Sequence, residues 1–467
     1  MGWDSLHGGG EQVGGSCHAK ESTTDGAQPI LAHGDVSVKF TRASGTRRGR
    51  IRRGYYSYSM NCLMTDRSTR LLDIGSNGPN GNWKMIRKQT DRWLVLIGIL
   101  IAVVAADGRR QPPRTPYSRV FSFGDSLTDT GNAAILPITA GGPFTQPPYG
   151  MTFFHRPNGR ASDGRLVIDF IVKGLGLPEP TPYLAGKTAA DFQLGVNFAV
   201  GGSTALDPAF LKARGVTSFV PVSLSNETRW FDNALQLLGA SADEQHMIAA
   251  SSIFYFGEIG FNDYSFALSA GNGTVDVAVS LVPDVIAVIR SAVTKVIAAG
   301  ARTVVVAGMI PIGCEPELLA LFPGGATAND YYDPVSGCIK QFNNLAELHN
   351  RQLKRMILDL RRAHPGAAAI VRYADIYGPV TAAVASPAKY GFGGSPLAAC
   401  CGGGGAPYNF NANFTGFCGT PGSTVCADGP CKSVSWDGIH YTEATNRLVA
   451  RSILTRLPHT RSQALYK

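Results

Sequence analysis

Several motifs that mark other protein classes are missing from this sequence of 467 residues. No Cys-x-x-Cys pair occurs, and Cys400 and Cys401 are adjacent, which makes zinc ligation a poor fit. Gly-x-Ser-x-Gly is absent too, which excludes the α/β-hydrolase nucleophile elbow. The run 401–405, a cysteine followed by four glycines, lacks the Lys-Ser/Thr pair that completes a phosphate-binding loop. The sequence therefore predicts neither a zinc site nor a nucleotide-phosphate site.

The chain also has few charges, and most of its basic excess lies at one end. Of the formal net charge of +9, residues 1–106 carry +6, from 14 Lys and Arg against 8 Asp and Glu. The body that follows contains no long Lys/Arg run of the kind that tracks phosphates along a nucleic acid. We therefore expect no nucleic-acid partner.

No apolar run in the N-terminal part is long enough to cross a bilayer. Residues 93–106 form an uncharged stretch of fourteen, whereas a membrane helix needs about 20 apolar residues. Basic residues precede this stretch, and Ala105 and Ala106 end it, which is the pattern of a secretory signal peptide. We therefore predict a signal peptide at residues 85–106 and no stable membrane span.

This assignment divides the chain into three parts. A signal peptide begins at an initiator methionine, and Met85 stands at the required place, so residues 1–84 are predicted to be a non-native or disordered extension. The alternative is a genuine long extension followed by a type II membrane anchor. Residues 107–467 show no repeat or internal boundary and are predicted to form a single domain.

Cysteines and glycosylation signals also favour secretion. Seven cysteines follow residue 106, five of them within residues 400–431, which indicates disulfides formed in an oxidising compartment. An odd number leaves at least one of them unpaired within the chain, and the connectivity stays open. Candidate glycosylation sites are Asn226, Asn272 and Asn413. We therefore expect a secreted, extracellular protein.

Short apolar runs alternate with helical patterns, which predicts an α/β fold with a parallel sheet. Gly300 is placed to end a helix over residues 275–299, in which Pro283 predicts a break. A second helix covers residues 342–360, and His349 on its apolar stripe is predicted to be a core residue. The predicted strands are 120–123, 195–199, 252–256, 302–307 and 369–373.

Ser126 follows the first predicted strand directly, with Gly124 and Asp125 forming the turn out of it. That position is the carboxyl edge of a parallel sheet, where open α/β sheets bind their ligands. Gly-Asp-Ser is also ordinary turn chemistry, so a catalytic role requires partners elsewhere in the chain.

Such partners are available near the C-terminus. Asp437 and His440 are three residues apart, so one turn can bring the carboxylate to the imidazole. Ser126 is then the candidate nucleophile, His440 its general base and Asp437 the group that orients the ring. The alternative is that Thr442 caps a helix and that the Asp-x-x-His spacing is incidental.

Two further segments could stabilise an oxyanion. Gly202 follows the second predicted strand, and a glycine there lets a backbone N–H approach a substrate oxygen closely. Asn262 follows the third predicted strand and carries an amide donor. With the backbone N–H of Ser126, these groups form the candidate oxyanion hole, although both Gly-Asn clusters could instead be simple turns.

Together these blocks resemble the GDSL esterase/lipase family, also called SGNH hydrolases. Ser126, Gly202, Asn262 and His440 match its motif positions in order, and Asp437 matches the triad aspartate. The finer pattern resembles a secreted plant branch that includes acetylajmalan and sinapine esterases, through residues 257–260, 332–338, 400–405 and 436–440.

This resemblance implies a three-layer α/β/α flavodoxin-like fold with a five-stranded parallel sheet. It also implies hydrolysis of carboxylic esters through an acyl-serine intermediate, with no metal and no organic cofactor. Two residues depart from the branch, namely Phe261 before the oxyanion asparagine and Tyr441 after the catalytic histidine. Neither departure removes a catalytic group, although both could reshape the edge of the pocket.

The substrate is a small-molecule ester, and the sequence leaves lipid, acetyl and phenolic esters open. The loops that select it, residues 141–159 and 207–226, have no readable geometry. An acyltransferase would use the same residues, and a secreted binding protein would carry them without activity. The oligomeric state is not predicted.

Overall fold

The computed structural model describes residues 116–324, 330–364, 370–393 and 395–457, which fall within one compact unit. The predicted extension at residues 1–84 and the predicted signal peptide at residues 85–106 lie outside the described residues.

The core of the molecule is a parallel sheet with the strand order β2-β3-β1-β4-β5-β6. All five predicted strands are present, shifted at their ends by at most two residues, and the α/β class is confirmed. The six strands of the sheet are β1 (Arg119–Phe123), β2 (Thr181–Pro182), β3 (Gly195–Asn197), β4 (Ser252–Phe256), β5 (Thr303–Ala307) and β6 (Ile370–Ala374).

The predicted number of five strands is wrong, because the sheet has six. The additional strand is β2, which pairs Thr181 with Val196 and Pro182 with Asn197 at one edge. Two residues are too few to show an alternating pattern, and proline is tolerated only where a strand needs no further partner. The sequence therefore carries no strand signal at this position.

Twelve helices, counted over the described residues, surround the sheet. They are α1 (Asn132–Ile135), α2 (Val167–Leu175), α3 (Ala189–Phe192), α4 (Pro208–Lys212), α5 (Leu224–Leu238), α6 (Ala242–Ala250), α7 (Phe261–Ala270), α8 (Asp276–Ala298), α9 (Pro316–Leu321), α10 (Lys340–Ala363), α11 (Tyr377–Ala385) and α12 (Glu443–Leu454). A separate antiparallel pair is formed by β7 (Cys401–Gly402) and β8 (Thr424–Val425).

Aromatic side chains join the central strands to one another. Phe123 on β1 stacks on Phe256 of β4 with ring centroids 4.5 Å apart, and on Phe198 beyond β3 at 5.0 Å. Pairs of this kind contribute about 0.5–1.5 kcal/mol each beyond the area that they bury. They fix β1 between β3 and β4, directly below the serine-bearing turn.

Helix α8 runs through Pro283 without interruption, so the predicted break is wrong. Proline removes one helical hydrogen bond, but packing against α5, α7 and α10 supports the helix on both sides of it. Among the described residues α8 alone is long and apolar enough to cross a membrane by length and composition. Helices buried in a protein core pass the same test, and Leu281, Val285 and Ile289 of α8 are buried.

His349 on α10 is a core residue, as its position on the apolar stripe predicts. Its ring is buried, and its Nδ1 atom lies 2.9 Å from the hydroxyl of Tyr264. Burial lowers the pKa of His349 to about 3, so the ring is neutral.

The strand order reverses at β1, because the chain builds β2 and β3 on one side of it and β4 on the other. In open parallel sheets such a reversal leaves a crevice at the carboxyl ends of the strands. The residues that directly follow β1, β3 and β4 therefore meet at one place.

Candidate active site

The turn that carries Ser126 depends on Gly124. Its φ of 140° is rare for residues with side chains, and an added Cβ would lie 3.0 Å from the Glu258 carbonyl oxygen. The Leu127 N–H donates to Asp125 Oδ1 at 3.0 Å and closes the turn. Ser126 itself is buried, with 8% of its surface exposed at the end of β1.

Asp129 anchors this turn to the segment that follows β3. Its carboxylate accepts hydrogen bonds from the N–H groups of Gly131 at 2.7 Å, Asn132 at 2.6 Å and Ala133 at 2.8 Å. It also accepts one from the N–H of Gly201 at 2.8 Å. The neighbour of Gly202 is thereby held next to the serine turn.

Ser126, His440 and Asp437 lie in one hydrogen-bonded chain. Ser126 Oγ is 2.8 Å from His440 Nε2, and His440 Nδ1 is 2.7 Å from Asp437 Oδ2. The other carboxylate oxygen of Asp437 accepts the N–H groups of Ile439 at 3.0 Å and His440 at 2.8 Å. These local bonds form a tight turn, which is why a spacing of three residues brings the carboxylate to the ring.

The negative charge of Asp437 and the positive charge of protonated His440 stabilise each other. Burial disfavours the charged imidazole, but the adjacent Asp437 carboxylate and the more distant Asp125 and Glu317 raise the pKa of His440 above its ordinary value. Burial likewise disfavours the charge on Asp437, but His440 and the donated hydrogen bonds outweigh it and lower the pKa of that carboxyl. Asp437 therefore stays ionised and favours proton uptake by His440.

Tyr149 is a member of the site that the sequence did not indicate. Its hydroxyl donates to Asp437 Oδ2 at 2.7 Å, the same oxygen that faces the imidazole. Its buried ring packs edge-on against Trp436, with centroids 5.9 Å apart, and against Phe144 at 5.5 Å. Phe144 in turn packs edge-on against the His440 ring at 5.3 Å. Tyr149 lies in a Gly/Pro-rich segment without periodicity, so no pattern singles it out.

Two disulfides hold the loops around Trp436. Cys400 pairs with Cys426 and Cys401 with Cys418, and all but Cys426 are fully buried in a cluster with Tyr149 and Trp436. The Cys401 N–H donates to the Trp436 carbonyl at 2.6 Å, which ties the cluster to the segment that carries Asp437. Cys314 pairs with Cys338, so Cys431 is the one cysteine without a disulfide among the described residues, which agrees with the odd number of cysteines after residue 106.

Two backbone N–H groups of the predicted site have no acceptor within the described part of the chain. Neither Ser126 N–H nor Gly202 N–H donates to any of the residues that the structure describes. N–H groups without a protein acceptor are able to donate to a ligand oxygen. Gly202 has a φ of 84°, and an added Cβ would lie 2.6 Å from Val220 Cγ2.

Asn262 lies in the first turn of α7 and contacts the residues next to Gly202 and Ser126 in the chain. Its amide nitrogen donates to the carbonyl of Ser203 at 2.8 Å, and Ser203 is the residue after Gly202. The same nitrogen is 3.4 Å from Asp125 Oδ2, which is long for a hydrogen bond. Because an amide has two N–H bonds, the second is available to a ligand oxygen. All five residues of the predicted site are thus brought together.

Phe261 and Tyr441, the two residues that depart from the family pattern, are both buried. Phe261 belongs to the hydrophobic core, and its N–H donates to Glu258 Oε1 at 3.0 Å. The Tyr441 hydroxyl donates to the buried Glu315 Oε1 at 2.6 Å. Both side chains thus pack inside the protein, and their effect on the edge of the pocket stays a prediction.

Within the described ranges, no group of three or more His, Cys, Asp or Glu side chains is placed to hold a metal ion. The chemistry available at this site is that of the serine, the imidazole, the carboxylate and the N–H donors.

Comparison with known proteins agrees with this geometry. The profile of the GDSL-like lipase/acylhydrolase family matches residues 120–453. The GDSL esterase/lipase At1g28590 of Arabidopsis thaliana is 43% identical over 360 residues, which cover 76% of this chain and 86% of the relative. At1g28600 is 43% identical over 74% of this chain and 85% of the relative, and At5g45910 is 40% identical over 78% and 96%. The narrower likeness to acetylajmalan and sinapine esterases stays a prediction.

Proposed function

Because the chain belongs to the GDSL-like lipase/acylhydrolase family and is a carboxylic ester hydrolase, we propose that Ser126 is its nucleophile. His440 is the general base, and Asp437 holds the ring in the required tautomer. This assignment is based on two consecutive hydrogen bonds. Ser126 Oγ is 2.8 Å from His440 Nε2, and His440 Nδ1 is 2.7 Å from Asp437 Oδ2.

In the first half-reaction, Ser126 Oγ attacks the ester carbonyl while His440 Nε2 takes the hydroxyl proton. The tetrahedral intermediate collapses, and the imidazolium returns that proton to the departing alcohol. In the second half-reaction, His440 deprotonates a water molecule that attacks the acyl-serine, which releases the acid and restores the serine. Asp437 stabilises the imidazolium in both halves.

The negative oxygen of the tetrahedral intermediate is proposed to bind the N–H groups of Ser126 and Gly202 and the Asn262 amide. The two backbone groups have no other partner among the described residues, so they lose no hydrogen bond when substrate arrives. Donors fixed in advance in this way stabilise charge at little reorganisation cost.

Substitution of the nucleophile tests this proposal. We expect Ser126→Ala to lower kcat on nitrophenyl esters by more than about 10⁴-fold, since a triad acts as a unit. Ser122→Ala is the matched control, because Ser122 is also buried on β1 and its hydroxyl has no partner in the described structure. An ester panel with acetyl, long-chain and phenolic acyl groups identifies the substrate. Retained activity in purified Ser126→Ala would refute the assignment.

We further propose that the enzyme is secreted, to the apoplast or cell wall, or to the vacuole. The three disulfides support an oxidising compartment. Asn272 and Asn413 are exposed and are the better glycan sites, whereas Asn226 is half-buried in α5, where its Oδ1 accepts the Ser223 N–H at 3.0 Å. N-terminal sequencing of secreted protein should start near residue 107, and recovery of residues before Met85 would contradict the proposed start.

A further inference from the structure

Two buried carboxyl groups touch directly behind the nucleophile. Asp125 and Glu258 are each 1% exposed, and each carboxyl shifts the pKa of the other. The Asp125 N–H also contacts the Glu258 carbonyl oxygen at 3.3 Å, so the turns after β1 and β4 lie side by side. Burial and the neighbouring like charge both disfavour ionisation of two adjacent carboxyl groups, so the pair favours the state that holds one proton.

The geometry places that proton on Glu258. Its Oε1 atom accepts the Phe261 N–H at 3.0 Å, while its Oε2 atom is buried and has no donor among the described residues. An oxygen in that situation is satisfied when it is a hydroxyl that donates to the neighbouring carboxylate. Burial first, and then the charge of Asp125, raises the pKa of Glu258 well above its ordinary value, whereas the pKa of Asp125 is raised to about 6.

Other nearby carboxyl groups already have partners of their own. Asp263 accepts the N–H groups of Ala205 at 2.8 Å and Leu206 at 2.9 Å. Glu227 accepts the Gly124 N–H at 2.9 Å. Glu258 is therefore the acidic group that can donate to Asp125.

Asp125 connects this proton to the proposed catalytic groups. It directly precedes Ser126, its Oδ1 accepts the Leu127 N–H, and its Oδ2 is 3.4 Å from the Asn262 amide nitrogen. We propose that Glu258 is a positioning residue whose protonated carboxyl donates to Asp125, so that Asp125 does not accept the second N–H of Asn262 and this N–H stays free for the developing oxyanion. This inference rests on the proposed role of Asn262.

A matched pair of variants separates proton donation from packing. The amide introduced by Glu258→Gln keeps an N–H donor toward Asp125 and an oxygen for the Phe261 N–H. The side chain introduced by Glu258→Met fills a similar length but has neither. We expect Glu258→Gln to stay within about threefold of the wild-type kcat, and Glu258→Met to lose up to about 100-fold in kcat with KM little changed. Rates are expressed per folded molecule, as measured by size-exclusion chromatography and thermal unfolding.

A double-substitution cycle tests the route through Asn262. In an Asn262→Ala background, Glu258→Met should cause little further loss in kcat, because the amide that it positions is gone. Additive losses would overturn the inference, as would a folded Glu258→Met enzyme with wild-type kcat or equal losses in the Gln and Met variants. These failures are distinct from failure of the proposed function, which would appear as activity in Ser126→Ala.

Discussion

Removing one hydroxyl group, in Tyr149→Phe, should weaken the site without disturbing its packing. The Asp437 carboxylate accepts four hydrogen bonds, and Tyr149 supplies one of the two at Oδ2. A hydrogen bond to a charged group contributes about 1.5–3 kcal/mol, and three donors remain to share the charge. Because this bond is present before substrate arrives, we expect most of that energy to appear as lost folding stability. A carboxylate that is less well oriented toward the imidazole should lower kcat/KM by roughly tenfold.

The same substitution should move the pH dependence in a defined direction. Tyr149 lowers the pKa of Asp437 by donating to its charged form, so its loss makes the carboxylate more basic. A more basic Asp437 binds the imidazolium more strongly, His440 stays protonated to higher pH, and the acid limb of kcat/KM shifts upward. The pH profile of kcat/KM on a nitrophenyl ester measures both effects.

Tyr264→Phe is the control for this experiment. Tyr264 is also fully buried and bonds through its hydroxyl, but its partner is His349 rather than a proposed catalytic residue. We expect it to change the free energy of unfolding and leave kcat/KM per folded molecule unchanged. A wild-type rate and acid limb in Tyr149→Phe, or an equal loss in Tyr264→Phe, would refute the reasoning.

Three further outcomes are expected. In steady-state kinetics, Asn262→Ala should lower kcat by about 10²- to 10³-fold with KM little changed. An unchanged kcat would exclude the amide from the oxyanion hole. His440 must be neutral to accept a proton, and its pKa is raised above the ordinary 6.5 of histidine. The activity of the wild type should therefore fall as the pH drops through that raised pKa. A flat pH profile between about pH 5 and 8 would exclude His440 as the base. Replacing Cys401 and Cys418 by serine removes a disulfide with a sequence separation of 17. We expect the free energy of unfolding, measured by urea titration, to fall by about 3 kcal/mol. Unchanged stability would mean that this disulfide does not constrain the unfolded chain.

The central sheet was predictable because its strands are continuous apolar runs between helical patterns. The edge strand β2 was not, since Thr181 and Pro182 gain their strand geometry only by pairing with β3. Pro283 was misread for a similar reason, because its local effect on the helix is outweighed by tertiary packing.

The site likewise contains residues that local sequence patterns predict and residues that only tertiary packing brings in. Ser126, Asp437 and His440 lie in short motifs whose turns are closed by local hydrogen bonds, so residue type and spacing were enough to suggest them. Tyr149 reaches Asp437 across 288 residues, from a loop without periodicity. Glu258 was passed over because glutamate is usually exposed, and only the packing of β1 against β4 brings it to Asp125.

The most direct test of the proposed mechanism is to trap the acyl-enzyme. A nitrophenyl ester is mixed with the enzyme, the reaction is quenched with acid during turnover, and the peptides are examined by mass spectrometry. The proposed mechanism predicts one added acyl group on the peptide that contains Ser126, and none in Ser126→Ala. An acyl group on a different residue of the active wild-type enzyme would contradict it.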